Sequence, residues 1–223
     1  MTRVLILRPE PGASATLERA RERGLDAFAI PLFEIEPVEW KAPDAASFDG
    51  LLITSANAVR SAGDRLFELR GLPVYAVGLA TADAAREAGF DVASSGDAGV
   101  ERLLGSIEQD LRLLHLCGED RKEVGSGKQR IEAIPVYRSR AKGDIDLSNA
   151  KASVALIHSP RAARRFSELV AASDKGSIAI AAISREAADA ASDGWRVVES
   201  ADAPTDEALL ALTKRLCNKA PAP

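Results

Sequence analysis

Short apolar runs alternate with Ala-rich amphipathic stretches along this chain, and that rhythm predicts strands and helices in turn. Arg3–Leu7 reads as a buried strand, and Arg8-Pro9-Glu10-Pro11-Gly12 as a turn by its Pro and Gly content. Ser14 is placed to cap a helix over Ala15–Arg23, with Gly24 as its stop. Ala27–Ile30 is a second strand. Pro31–Pro37, with proline at each end, reads as a connector rather than a core strand. Leu51–Thr54 is a strand followed by a helix from Ser55. Val74–Gly78 is a strand followed by a helix to Gly89. Val92–Ser94 precedes a helix around Val100–Ile107, and Leu111–Leu116 is the next strand. Gly118–Lys128 is Gly-rich and charged, and replaces a helix with a loop. Ile131–Ile134 is a strand, continued by an extended connector, Pro135-Val136-Tyr137-Arg138. Three more strands, Val154–Ile157, Ala179–Ile183 and Arg196–Val198, complete the pattern.

The chain repeats itself. FDGLLITSANAVRSAGDRL from Phe48 returns as ASVALIHSPRAARRFSELV from Ala152, and LPVYAVGLATADAAREAGFDV from Leu72 as SIAIAAISREAADAASDGWRV from Ser177. RVLILRPEP, later followed by FAIPLFEI, is echoed by RLLHLCGED, later followed by EAIPVYRS. A duplicated unit of roughly 100 residues predicts two lobes facing a cleft. Two strands precede the middle five and three follow them. The middle lobe (36–138) is therefore expected to be inserted into a discontinuous outer lobe (1–35 and 139–223), with crossings near 32–38 and 135–141. The expected fold is α/β: two flavodoxin-like, doubly wound parallel-sheet lobes.

Composition narrows the function. Net charge is −4, which argues against general nucleic-acid binding. Yet residues 111–142 hold eight Lys/Arg against four Asp/Glu, and 151–165 hold Lys151, Arg161, Arg164 and Arg165 with no acid. Such strips draw in an anionic ligand, and they are equally the solvated faces of helices. No apolar run is long enough for a bilayer and no signal-peptide pattern opens the chain, so a cytoplasmic location is expected. Cys117 and Cys217 read as reduced thiols, and no metal-ligand spacing occurs. Neither lobe shows a spare apolar face, which points to a monomer.

In doubly wound sheets, ligands sit at the carboxyl ends of strands, where helix N-termini favour anions. Those positions are Arg8, Thr54-Ser55-Ala56-Asn57, Gly78 with Thr81, Arg121 in the Gly118 segment, His158-Ser159 with Arg161, and Ser184-Arg185. Ser55 and Ser159 also have a purely local role as helix caps, and Pro160 suits the first helical position. Gly78 also suits close helix–strand packing. There is no Ser/His/Asp order, no Cys/His pair, no P-loop, and no GxGxxG after the first strand; Gly125-Ser126-Gly127-Lys128 is too short for a phosphate loop. His115, within LLHLC, reads as a strand residue with a satisfied ring. Tyr137 lies in the second connector, where a phenol can pack or give a proton.

V-L-I-L-R-P, F-D-G-L-L-I-T-S-A-N-A-V, Y-A-V-G-L-A-T-A-D-A-A-R-E-A-G-F, P-V-Y-R and H-S-P-R-A occur here in an order and spacing that resemble the uroporphyrinogen-III synthases. The resemblance implies two flavodoxin-like lobes joined by a two-stranded connector. It implies ring closure of the linear tetrapyrrole hydroxymethylbilane, inversion of the last pyrrole through a spiro intermediate, and loss of water. It implies no cofactor and no metal, transient contact with the upstream deaminase, and Tyr137 as the group assisting departure of the hydroxyl. Eight substrate carboxylates match the basic strips and the helix N-termini. The second Gly-x-x-Thr site departs from the family: Ser184 stands for the glycine, Ala187 for the threonine, and Glu186 adds an acid. His158 stands where the family often has Thr, and the stretch after Cys117 is short.

Two other readings remain open. One is a non-catalytic two-lobed binding protein for a small anionic ligand. Its stacking aromatics are scarce here, at 4% of residues. The other is a duplicated phospho-acceptor regulator, which needs acidic residues where Arg8-Pro9 and Thr54-Ser55 stand.

Overall fold

The computed structural model describes residues 2–96, 99–121, 124–125 and 127–219. β1 (Arg3–Ile6), α1 (Gly12–Glu22), β2 (Ala27–Ala29) and β3 (Phe33–Pro37) come first. β4 (Gly50–Ile53), α2 (Ala56–Ser61), β5 (Val74–Val77) and α3 (Leu79–Glu87) follow. Then come β6 (Val92–Gly96), α4 (Val100–Gly105), β7 (Arg112–Gly118) and β8 (Arg130–Ala141). The chain continues through β9 (Ser153–Ile157), α5 (Pro160–Leu169), α6 (Ala172–Lys175) and β10 (Ala179–Ala182). It ends in α7 (Arg185–Asp189), β11 (Val197–Ser200) and α8 (Asp206–Asn218).

These elements form two compact units, Met1–Glu34 with Ala141–Pro223, and Ile35–Arg140. The first carries a five-stranded sheet ordered β11-β10-β9-β1-β2, all parallel. Its strands are continuous apolar runs because helices cover both faces. Val4, Ile6, Val154, Leu156, Ala179 and Ala181 meet Leu209, Leu210 and Leu212 of α8 on one face. Leu5, Leu7, Ala155, Ile157 and Ile180 meet Ala162, Ala163 and Phe166 of α5 on the other. The alternation follows the two-residue period of a strand.

The second sheet is ordered β3-β8-β7-β4-β5-β6. Leu51, Ile53, Val74, Leu114 and Leu116 face α2 and α3, while Leu52 and Leu113 face Leu103 and Leu104 of α4. The internal repeat matches β1 with β7, β2 with β8, β9 with β4, β10 with β5 and β11 with β6. Under that correspondence the two sheets have the same spatial order, 2-1-3-4-5 in the first, and the chain enters the second at its third position. Register is kept as well: Val4 pairs with Val154, and its counterpart Leu113 pairs with Gly50. Both sheets are therefore doubly wound with one topological switch point each, between β1 and β9 and between β7 and β4.

Three local features differ from the sequence reading. The first helix starts at Gly12, not Ala15, and Ser14 is not its cap. Instead the Ser14 amide and hydroxyl donate to the Glu10 carboxylate at 3.0 and 2.9 Å, so the acid two positions before the helix does the capping. Ile131–Ile134 and its connector form one strand, β8, because Val38 N–H donates to Val136 O and Lys142 N–H to Leu32 O, an antiparallel ladder along its far half. The Pro-bounded β3 is the other side of that ladder, at the sheet edge where its prolines leave no broken pairing. Of the loop expected over Gly118–Lys128, Lys122, Glu123 and Ser126 lie outside the described residues.

Candidate functional site

The second unit gathers its expected site residues on four neighbouring strands, at the carboxyl ends of β4, β5 and β7 and, on β8, at the rung beside the end of β7. Thr54-Ser55-Ala56-Asn57 leave β4, Gly78 and Thr81 leave β5, Arg121 follows β7, and Tyr137 lies in β8. Ser55 caps α2, its Oγ accepting from Asn57 N–H at 3.2 Å. Gly78 caps α3 at φ +85°, a conformation that favours glycine. Having no side chain, it leaves the N–H groups of Leu79 and Ala80 with no hydrogen-bond partner among the described residues, while Thr81 and Ala82 donate to Gly78 O. Thr81 is 5% exposed and packs inward.

Tyr137 lies across Gly118. A Cβ on that glycine would come within 2.9 Å of Tyr137 Cε2 and Cζ and 3.1 Å of its hydroxyl oxygen. The two residues pair across a register shift between β7 and β8, and Glu119 N–H donates to Tyr137 O at 2.9 Å. On the opposite face of the sheet, His115 lies on the side that α4 covers, level with Leu52. Burial pushes the Cys117 thiol pKa up, with the Arg121 guanidinium opposing. His115 is 2% exposed, and burial, helped by Arg121, holds its pKa down to about 4. Its Nε2 sits 3.1 Å from Thr54 Oγ1, and its Nδ1 has no hydrogen-bond partner among the described residues. The ring is thus half satisfied, not fully as the sequence suggested.

At the switch point of the first sheet, Arg8 and His158 converge on a residue that the sequence reading missed, Asp206, the first residue of α8. Its Oδ1 accepts from Thr16 Oγ1 at 2.9 Å and from His158 Nε2 at 3.1 Å. Its Oδ2 lies 2.8 Å from Arg19 Nε and 2.7 Å from Nη2. Arg8 Nη1 is 3.6 Å from Oδ1 and donates to Thr16 Oγ1 at 3.3 Å. Burial works to raise the Asp206 pKa, and the bonds from His158, Arg19 and Thr16 outweigh it, leaving the carboxyl well below the usual range. Burial pushes His158 down, against the pull of Asp206. Gly12 makes the room, since a Cβ there would lie 2.6 Å from Arg8 Nε.

The remaining residues are placed separately. Ser159 caps α5 by accepting from Ala162 N–H at 3.1 Å, and Ser184 caps α7 by accepting from Ala187 N–H at 3.2 Å. The Arg161 guanidinium lies 4.6 Å over the Phe33 ring. Exposed Arg185 lines a cavity of about 710 Å³ with Trp195 and Arg215, whose walls include none of Arg8, His158 or Ser159. The first unit therefore spreads its candidates, and its central pair is engaged with Asp206. Thr16, Arg19 and Asp206 gave no local signal, because Asp206 is 190 positions from Thr16. Among the described residues no group of three His, Cys, Asp or Glu side chains is close enough to hold a metal. No helix among them is long and apolar enough to cross a membrane.

Comparison with known proteins bears on the family and on the fold. The model of the uroporphyrinogen-III synthase HemD family matches residues 14–211. Uroporphyrinogen-III synthase from Chlorobaculum parvum is 34% identical over 90 residues, 36% of this chain and 37% of that protein. The chain thus spans little more than a third of that curated relative in the match. The crystal structure of uroporphyrinogen-III synthetase from Helicobacter pylori superposes with a TM-score of 0.65 at 20% identity, covering 97% of this chain and 100% of that one. A mutant uroporphyrinogen III synthase from Thermus thermophilus gives 0.52 at 18% identity, covering 98% and 100%. These two likenesses concern the fold, and it is the family match over most of the length that decides: the chain belongs to the uroporphyrinogen-III synthase family.

Proposed function

We propose that this chain closes hydroxymethylbilane to uroporphyrinogen III, inverting the terminal pyrrole ring through a spiro intermediate and releasing water. The observation that carries the reading is the family match over 14–211, which takes in the strand ends around Thr54, Gly78, Gly118 and Tyr137. The reaction needs a proton for the departing hydroxyl, which leaves as water, and a cationic bilane remains. Tyr137 supplies or relays that proton, since its ring is fixed across Gly118 and half exposed. Arg121 and the N–H groups of Leu79 and Ala80 take substrate carboxylates. Thr54, Ser55, Ala56 and Asn57 complete that edge, and Ser159, Arg161, Ser184 and Arg185 offer further contacts. Holding the flexible bilane so that the substituted pyrrole position reacts does much of the work. The protein acts as a cytoplasmic monomer, without metal or cofactor, on bilane delivered by the upstream deaminase.

A coupled assay tests this. Hydroxymethylbilane is generated in situ, the products are oxidised, and the isomers are separated by chromatography. A shift from type I to type III porphyrin is expected. Type I alone, from folded protein beside a working control synthase, rejects the reading. Tyr137→Phe should lower kcat about a hundredfold. Unchanged turnover removes Tyr137 from the mechanism.

A further inference from the structure

The proposed reaction gives His115 no role, yet it sits at the switch point of the second sheet, where β7 meets β4. Its side chain and that of Thr54 lie on the same face: Leu52 is the rung partner of His115, and Thr54 stands two residues further along β4. The ring is enclosed and reaches Thr54 Oγ1 through Nε2 at 3.1 Å. Nδ1 is buried, with no hydrogen-bond partner among the described residues.

That orphan nitrogen decides the tautomer. A buried N–H without an acceptor costs more than a bare lone pair, so the ring proton belongs on the nitrogen that has a partner. Nε2–H then donates, and Thr54 Oγ1 accepts. The threonine hydroxyl proton is thereby turned away from the protein interior. Among the described residues no acceptor takes it, and Thr54 itself is only half buried. A hydroxyl that already accepts a bond is also the better donor.

We propose that His115 is a positioning residue, which as its Nε2–H tautomer makes Thr54 an obligate outward donor to a carboxylate of the bound tetrapyrrole. This rests on the reaction proposed above for the direction in which Thr54 acts, and the tautomer itself does not. Burial keeps the ring neutral at physiological pH, in accord with its low pKa. The repeat supports a role confined to this unit, since the counterpart of His115 in β1 is Ile6 and that of Thr54 is His158.

Two measurements test it on the intact protein. The first is long-range proton–nitrogen NMR of the ring, simplified by there being two histidines, His115 and His158, in the chain. The expected spectrum shows His115 neutral near pH 7 with the proton on Nε2. A proton on Nδ1, or a charged ring, overturns the proposal whatever the enzyme does. The second is kinetics in the coupled assay. His115→Leu should raise KM for the bilane about tenfold with kcat within about twofold, because the Thr54 hydroxyl, no longer held outward, gives up its bond to a charged group. His115→Gln, whose amide N–H replaces Nε2–H, should restore KM, and Thr54→Val should match His115→Leu, with the double variant no worse. Leucine suits this apolar strand, and a melt shows that the variant folds. A KM raised by Thr54→Val and untouched by His115→Leu overturns the positioning role. No type III product from wild-type protein rejects the proposed reaction instead, and the His115 assignment then stands or falls on the tautomer.

Discussion

Asp206 and His158 are joined by a 3.1 Å contact between Oδ1 and Nε2, at the point where doubly wound sheets commonly take a ligand. A carboxylate only accepts here, so the ring proton is on Nε2. Arg8, Arg19 and Thr16 surround the same carboxylate. The first sheet thus places an internal carboxylate, that of Asp206, at its switch point. Asp206→Ala should lower stability by about 3 kcal/mol in urea titrations, because two guanidinium groups and a buried imidazole lose their shared acceptor. Acetate or formate should then stabilise the variant more than wild-type protein. Equal salt responses in both would show that the site does not accept a free carboxylate.

The two histidines set an acid limit. The folded pKa of His115 is about 4 against an ordinary value of 6.5, and that of His158 is also depressed. Below pH 6.5 the unfolded chain binds protons that the folded chain refuses, so stability is complete above 6.5 and falls as pH drops towards 4. His115 alone accounts for about 3 kcal/mol over that window. Asp206 works in the same direction at lower pH: its depressed carboxyl contributes stability above the ordinary carboxylate range, lost as acid protonates it. Urea unfolding at stepped pH should show this slope, and His115→Leu should flatten it. An unchanged slope in that variant would exclude His115 as its source.

Ser159 lets capping and ligand binding be told apart. Its Oγ accepts from Ala162 N–H, so Ser159→Ala should cost about 1 kcal/mol. Ser159→Asp keeps an acceptor at the cap and leaves stability near wild type, while setting a negative charge where a substrate carboxylate would lie. A raised KM in the aspartate variant, measured in the coupled assay, identifies an anion site. An unchanged KM leaves Ser159 as a cap alone.

Much of the fold can be read from the chain because its information is local. Leu51–Ile53, Val154–Ile157 and Ala179–Ala182 are continuous apolar runs, as parallel strands covered on both faces require. Ser159-Pro160 marks a helix start within two residues. Ser14 misleads because a serine near a helix start reads alike in the capping position and one turn inside it. β8 reads as two segments because proline at Pro135 interrupts the apolar pattern, although its missing N–H leaves the rest of the ladder intact. The site is less legible. Asp206 meets Thr16 and His158 only through the packing of α8 against α1 and β9, and no spacing encodes that. The half-satisfied state of His115 depends on what lies beyond one ring nitrogen, which sequence does not carry.

Gly118 provides the most direct control over Tyr137. The glycine has no left-handed backbone conformation to protect, so its small size alone is at stake. A methyl group there would stand 2.9 Å from two ring carbons, closer than real Cβ atoms approach such neighbours. The ring has little room to move aside, because the tyrosine packs against the cluster that holds Val136. Gly118→Ala should therefore lift the phenol from its place while the two strands stay paired. The expected result is a kcat decrease approaching that of Tyr137→Phe, with KM changed less and the Tyr near-ultraviolet dichroism altered. Combining the two substitutions should add little to either, since both act on one hydroxyl. Multiplied losses would mean that Gly118 supports the reaction by some other route than the ring it carries.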